Sequence, residues 1–71
     1  MVNTLVELTL NGERRLLDGP VTVAGLLSSL GLDGRKVAVE RNEAIVPRSL
    51  YEATALTPGD ALEIVHFIGG G

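Results

Sequence analysis

No cysteine occurs anywhere in this 71-residue sequence. Disulfide staples and thiolate metal sites are thereby excluded. Aromatic residues are nearly missing as well: Tyr51, Phe67 and no tryptophan. The core must therefore be built from Leu, Val, Ile and Ala, and stacking platforms for nucleic-acid bases are lacking. Basic residues are in the minority, six against nine acidic ones, for a formal charge of −3. That balance disfavours a phosphate backbone, so no nucleic-acid partner is expected. No apolar run approaches the roughly 20 residues of a membrane span. The first residues, Met1-Val2-Asn3-Thr4, lack a basic n-region and a signal-peptide cleavage pattern. The expectation is a cytoplasmic chain with no membrane partner.

What is present reads as one small folded domain. Hydrophobic residues at 45% against 21% charged exclude a disordered chain. A chain this short buries only about 60% of its unfolded surface, so its patterning must be clean. Thr4 to Leu10 alternates, with Val6, Leu8 and Leu10 on one face and Leu5, Glu7 and Thr9 on the other. Asn11-Gly12 follows, a hairpin signal because both positions accept positive φ. A second strand is expected over about Glu13 to Leu17, with either Leu17 or Leu16 facing inward. Asp18-Gly19-Pro20 ends it. Thr22 is a suitable N-cap, and Val23, Leu26, Leu27 and Leu30 then form one helical stripe. Gly31 stands at the C-cap position. Gly25 inside the helix implies close approach to a strand.

Lys36 to Arg41 reads as a third strand with Val37 and Val39 inward. Asn42-Glu43 is a turn, and Ile45-Val46 a short edge strand closed by Pro47. Arg48 to Leu56 is irregular, with one helical turn carrying Leu50 and Tyr51. Thr57-Pro58-Gly59-Asp60 fits a type II turn. The final strand runs from Ala61 to Phe67 or Ile68. With Leu62 and Ile64 inward, Ala61, Glu63, Val65 and Phe67 face out. One helix covers one face of one sheet, giving an α+β fold with four or five strands. Leu5, Val65 and Phe67 then leave apolar surface on the uncovered face, a candidate partner-binding patch.

The sequence closes on Gly69-Gly70-Gly71, directly after the apolar strand. At about 7% glycine usage, two terminal glycines arise by chance about once in 200 chains. Without a Cβ, such a tail can thread a narrow site and present a terminal carboxylate there. Glu40, Glu43, Glu52, Asp60 and Glu63 read as solvated acidic surface, with Arg41 and Arg48 as candidate partners. His66 is the only histidine. Without cysteine or an acidic cluster nearby, no metal site is expected. Ser28 and Ser29 lie on the helix, and nothing places them beside His66 as a nucleophile would need.

Hairpin, helix, returning strands and terminal glycines resemble the β-grasp fold of ubiquitin-like proteins. Val37 to Asn42, Ile45-Val46-Pro47-Arg48, Gly59-Asp60, Glu63-Ile64-Val65 and the glycine tail are together similar to the ThiS family over essentially the whole chain. That family comprises sulfur carriers of thiamine thiazole biosynthesis. The resemblance implies a β-grasp domain over residues 1–68 and a flexible glycine tail over 69–71. It further implies a protein co-substrate, not an enzyme. On that resemblance, the Gly71 carboxylate is expected to be adenylated with ATP by an E1-like adenylating enzyme. It is then expected to become a thiocarboxylate with sulfur from a cysteine desulfurase or other donor, and to serve a thiazole synthase. Gly70 acts as spacer and Gly69 as an extension, since many members end on two glycines. An ionised α-carboxylate is a competent nucleophile toward a phosphate at neutral pH. With no cysteine, sulfur must ride on the backbone end. No cofactor is expected to stay bound, and the free chain is expected to be monomeric. Competing readings are the small subunit of molybdopterin synthase, a ubiquitin-like modifier joined through Gly71 to a lysine, and a binding module with an incidental tail.

Overall fold

The computed structural model describes residues 5–67. Its elements are β1 (Leu5–Leu10), β2 (Glu13–Asp18), α1 (Val23–Ser29), β3 (Val37–Arg41), β4 (Ala44–Val46) and β5 (Ala61–His66). Short 3-10 turns occupy Gly34–Lys36 and Arg48–Leu50. The strands form one five-stranded sheet in the order β2-β1-β5-β3-β4. Among the described residues, only β1 and β5 are parallel neighbours; the other pairs are antiparallel. Helix α1 covers one face, which is the β-grasp arrangement.

Local chemistry sets these elements. Asn11 and Gly12 both take positive φ, as the tight β1–β2 turn demands. Asn42 and Glu43 do the same between β3 and β4. Thr22 caps α1, its hydroxyl accepting from the Gly25 N–H at 3.1 Å. Gly59, at φ +89, occupies the third position of a type II turn. The Asp60 N–H closes that turn on the Thr57 carbonyl at 3.2 Å.

The alternating residues of β1 and β5 meet the helix stripe. Val6, Leu8, Leu10, Val23, Leu26, Leu27, Val37, Val39, Leu62 and Ile64 are buried in one core. Tyr51 joins it, its hydroxyl donating to the Val37 carbonyl at 3.3 Å. Leu50, expected on the same turn, is exposed. The facing of β2 is settled by register. Leu17 lies beside Val6 on the core side, and Leu16 lies beside Glu7 on the open side.

Two expectations are corrected. Gly25 does not approach a strand: a Cβ there would meet the side chains of Val21 and Thr22, at ordinary contact distance. Asp60 is not solvated surface; it is only 5% exposed. No helix is long and apolar enough to cross a membrane among the described residues.

Candidate functional site

Strand β5 leads toward the glycine tail, so what holds β5 defines the site. Three separate clamps act along it. At its start, the Asn42 N–H donates to the Ala61 carbonyl at 2.8 Å, and the Ala61 N–H donates to Asn42 Oδ1 at 2.9 Å. In its middle, the Ile64 N–H donates to Asn11 Oδ1 at 2.9 Å. At its end, the Phe67 N–H donates to the Lys36 carbonyl at 3.0 Å. Both asparagines sit in tight turns at positive φ, a conformation that Asn tolerates well.

Asp60, immediately before β5, anchors the first clamp. Its carboxylate accepts from the Thr57 N–H and Arg41 Nε at 2.8 Å each, from Asn42 Nδ2 at 3.0 Å and from the Thr57 hydroxyl at 3.1 Å. Burial pushes the Asp60 carboxyl upward, but these donors outweigh it and hold the group at about 2. Arg41 thus pairs with a carboxylate as expected. Arg48 does not, among the described residues; it donates to the Arg35 carbonyl at 3.4 Å. Arg35 in turn grips Asp33 through two side-chain hydrogen bonds, which hold the Asp33 carboxyl at about 2.

The open face of the sheet carries the exposed apolar residues. Val65 is 60% exposed and Phe67 is 56% exposed. Val65 lies beside Ala38 of β3, and Ile45 of β4 lies diagonally from Ala38 across Glu40. Ile45, at 64% exposed, extends the patch and was not singled out from the sequence. Its signal was present: in a three-residue edge strand whose Val46 is buried, Ile45 must point the other way. Glu40 and Glu63 stand directly opposite one another on the same face.

Leu5 is exposed on this face too, but the structure does not bring it to Val65 and Phe67. Thr9 pairs with Ala61 in the parallel β1–β5 ladder. Leu5 therefore lies four residues before that level and Val65 four beyond it, a separation of about 26 Å at the rise of a strand. Leu5 instead pairs with Asp18 across the β1–β2 ladder and lies diagonally from exposed Leu16, which pairs with Glu7. The patch expected from Leu5, Val65 and Phe67 is two patches at opposite ends of the sheet.

Gly69, Gly70 and Gly71, and with them the expected boundary at residue 68, lie outside the described residues. Among the described residues, no group of His, Asp and Glu could hold a metal ion.

A model of the ThiS family matches residues 8–71. The chain belongs to the ThiS family. It is 44% identical over 50 residues to the sulfur carrier protein ThiS of Bacillus subtilis, covering 70% of this chain and 76% of that one. It is 56% identical over 66 residues to a thiazole synthase of Paramagnetospirillum magneticum. That match covers 93% of this chain but only 20% of the relative, so the chain spans about a fifth of that protein's length. Among solved structures, the crystal structure of the thiamine biosynthesis protein ThiS from Geobacter metallireducens superposes with a TM-score of 0.79 at 38% identity. It covers 93% of this chain and all of its own. The β-grasp sheet and single helix of this chain are thus the architecture of a solved ThiS protein.

Proposed function

We propose that this chain is a sulfur carrier that delivers sulfur for thiazole formation from a thiocarboxylate at Gly71. As a ThiS-family protein it serves thiamine biosynthesis as a carrier and not as a catalyst. The observation that carries the finer reading is the clamping of β5. Asn42, Asn11 and Lys36 fix the strand through Phe67, one residue before Ile68-Gly69-Gly70-Gly71. A rigid strand ahead of a glycine run fixes where the run starts while leaving it narrow enough for a confined site.

The chemistry follows from the terminal group. A carboxylate oxygen of Gly71 attacks the α-phosphorus of ATP in the adenylating enzyme, and pyrophosphate leaves. The acyl adenylate is then attacked at its carbonyl carbon by the donor's sulfur. Hydrosulfide gives the thiocarboxylate directly. The persulfide of a cysteine desulfurase gives an acyl disulfide whose S–S bond a thiol reductant cleaves, that thiol leaving as a disulfide with the donor's cysteine. AMP leaves with the oxygen, and a thiocarboxylate remains. Thiazole synthase takes the sulfur from it. ATP is consumed by the partner and is no cofactor of this chain. Val65, Phe67 and Ile45 form the apolar surface that docks against these enzymes, flanked by Glu40 and Glu63. Docking by a folded surface offsets the entropy lost when the tail is ordered.

The test is an intact mass of the chain after incubation with ATP, a ThiS-family adenylating enzyme and sulfide. The expected result is replacement of one carboxylate oxygen by sulfur, lost on deletion of Gly70-Gly71. An unchanged mass with a demonstrably active enzyme refutes the reading. Conjugates of this chain to lysines of other proteins, with no thiocarboxylate, establish a modifier instead.

A further inference from the structure

Strand β5 outruns its parallel neighbour. Thr9 and Leu10 of β1 pair with Ala61 and Leu62, and Asn11 then serves Leu62 and Ile64. Beyond Asn11 the chain turns back into β2. On its other side, His66 faces Val37 of β3.

Flanking hydrogen bonds fix the direction of the His66 backbone. The Phe67 N–H points to β3, where it meets the Lys36 carbonyl. The Ile64 N–H and carbonyl point the opposite way, to Asn11. Successive residues of a strand alternate in this direction. His66 therefore shares the direction of Ile64, and its N–H and C=O point into the space past the Asn11-Gly12 turn. Neither group has a backbone partner among the described residues. His66 is exposed.

The other sheet edges are guarded. Strand β2 carries Glu13, Arg14, Arg15 and Asp18, and β4 has three residues closed by Pro47. Charge, brevity and proline all discourage a further strand. From Ile64 to Phe67 the β5 edge has no acidic residue, lysine, arginine or proline. A donor and an acceptor side by side on one residue are what an added strand satisfies.

We propose that thiazole synthase lays an extended segment of its own backbone against this edge at His66, adding a strand beside β5 as the tail enters it. The inference rests on reading the chain as a sulfur carrier. The choice of occupant follows from a relative: a stretch 56% identical to this chain lies within a polypeptide named thiazole synthase, which joins the two in one molecule. Val65 and Phe67, exposed on the open face to either side of His66, supply apolar contact for the added strand.

The test uses the full chain, labelled with nitrogen-15, and purified thiazole synthase. The His66 amide is expected to exchange fast in the free chain and at least about tenfold more slowly in the complex. His66→Pro removes the outward N–H and spares the bonds to β3, which Val65 and Phe67 make. It is expected to weaken the complex about tenfold, the loss of one hydrogen bond plus a ring in the added strand's path. His66→Ala keeps the N–H and is expected to bind within about threefold of the parent chain.

Equal binding by His66→Pro overturns the proposal. So does an equal loss in His66→Ala, which would place the effect in the imidazole. Should His66→Pro fail to fold, the exchange rate in the unaltered chain decides, and an unchanged rate in the complex overturns the proposal. A thiocarboxylate that forms normally on a chain with no affinity for thiazole synthase overturns the added strand and the delivery to thiazole synthase, and leaves the thiocarboxylate chemistry at Gly71 standing. Absence of both overturns both.

Discussion

Asn11 and Ile64 are joined by two hydrogen bonds although 53 residues separate them: Ile64 N–H to Asn11 Oδ1 at 2.9 Å, and Asn11 Nδ2 to the Ile64 carbonyl at 3.3 Å. The amide side chain replaces the strand that β1 no longer provides. Asn11→Gly keeps the positive φ and deletes these bonds, at the added cost of a looser unfolded chain. It is expected to cost about 1–2 kcal/mol and to speed amide exchange at Ile64 more than at Val39. Chemical denaturation with residue-resolved exchange measures both. An unchanged midpoint would show that water serves Ile64 equally well.

Asp60 makes stability depend on acid. Its folded-state pKa, about 2, lies below the ordinary carboxylate value of 3.8. The stabilisation is therefore present above the unfolded value and is lost as pH falls through the folded one. The melting temperature is expected to drop between pH 5 and pH 2, by the equivalent of about 2 kcal/mol from this group. Asp60→Asn is expected to be about 2–3 kcal/mol less stable at pH 7, with a flatter acid limb. A parallel acid limb in the variant would assign the effect to other carboxylates.

The two apolar patches are expected to separate by function. Phe67→Asp and Val65→Asp are expected to weaken partner binding by roughly tenfold or more, as for truncated interface anchors, with little change in melting temperature. Leu5→Asp, at the far end of the sheet, is expected to leave binding within about twofold. Titration calorimetry against thiazole synthase distinguishes them. A large thermal destabilisation of Phe67→Asp would contradict its exposure.

Gly71→Ala is expected to leave the melting temperature unchanged and to slow thiocarboxylate formation roughly tenfold or more, because a Cβ misplaces the reacting carbon in a confined site. Time-resolved intact mass measures the rate. Parent-like kinetics would mean that the receiving site has room to spare.

Where periodicity is local, the sequence was legible. Strands β1 and β5, the Val23 to Leu30 stripe, the Thr22 cap and the turns at Asn11-Gly12 and Thr57 to Asp60 all follow from residue spacing and turn chemistry. Long-range pairing was not legible. Two adjacent leucines in β2 gave either facing until the pairing of Leu17 with Val6 chose one. The same limit joined Leu5 to Val65: both face outward, but the offset of β1 against β5 places them at opposite ends. Asp60 read as surface because its main side-chain partners, Arg41 and Asn42, lie 19 and 18 residues away. Its signal was its place at the fourth position of a type II turn, where Thr57 three residues earlier can donate to it.

The parallel pairing of β1 with β5 gives the molecule two poles. Leu5 begins β1 at one, and Phe67 follows β5 at the other. A bead, a dye or a second protein joined at the Leu5 end is thus anchored at the pole remote from Phe67. On the proposed chemistry, a carrier tethered that way is expected to accept sulfur and give it up to enzymes in solution while it stays immobilised.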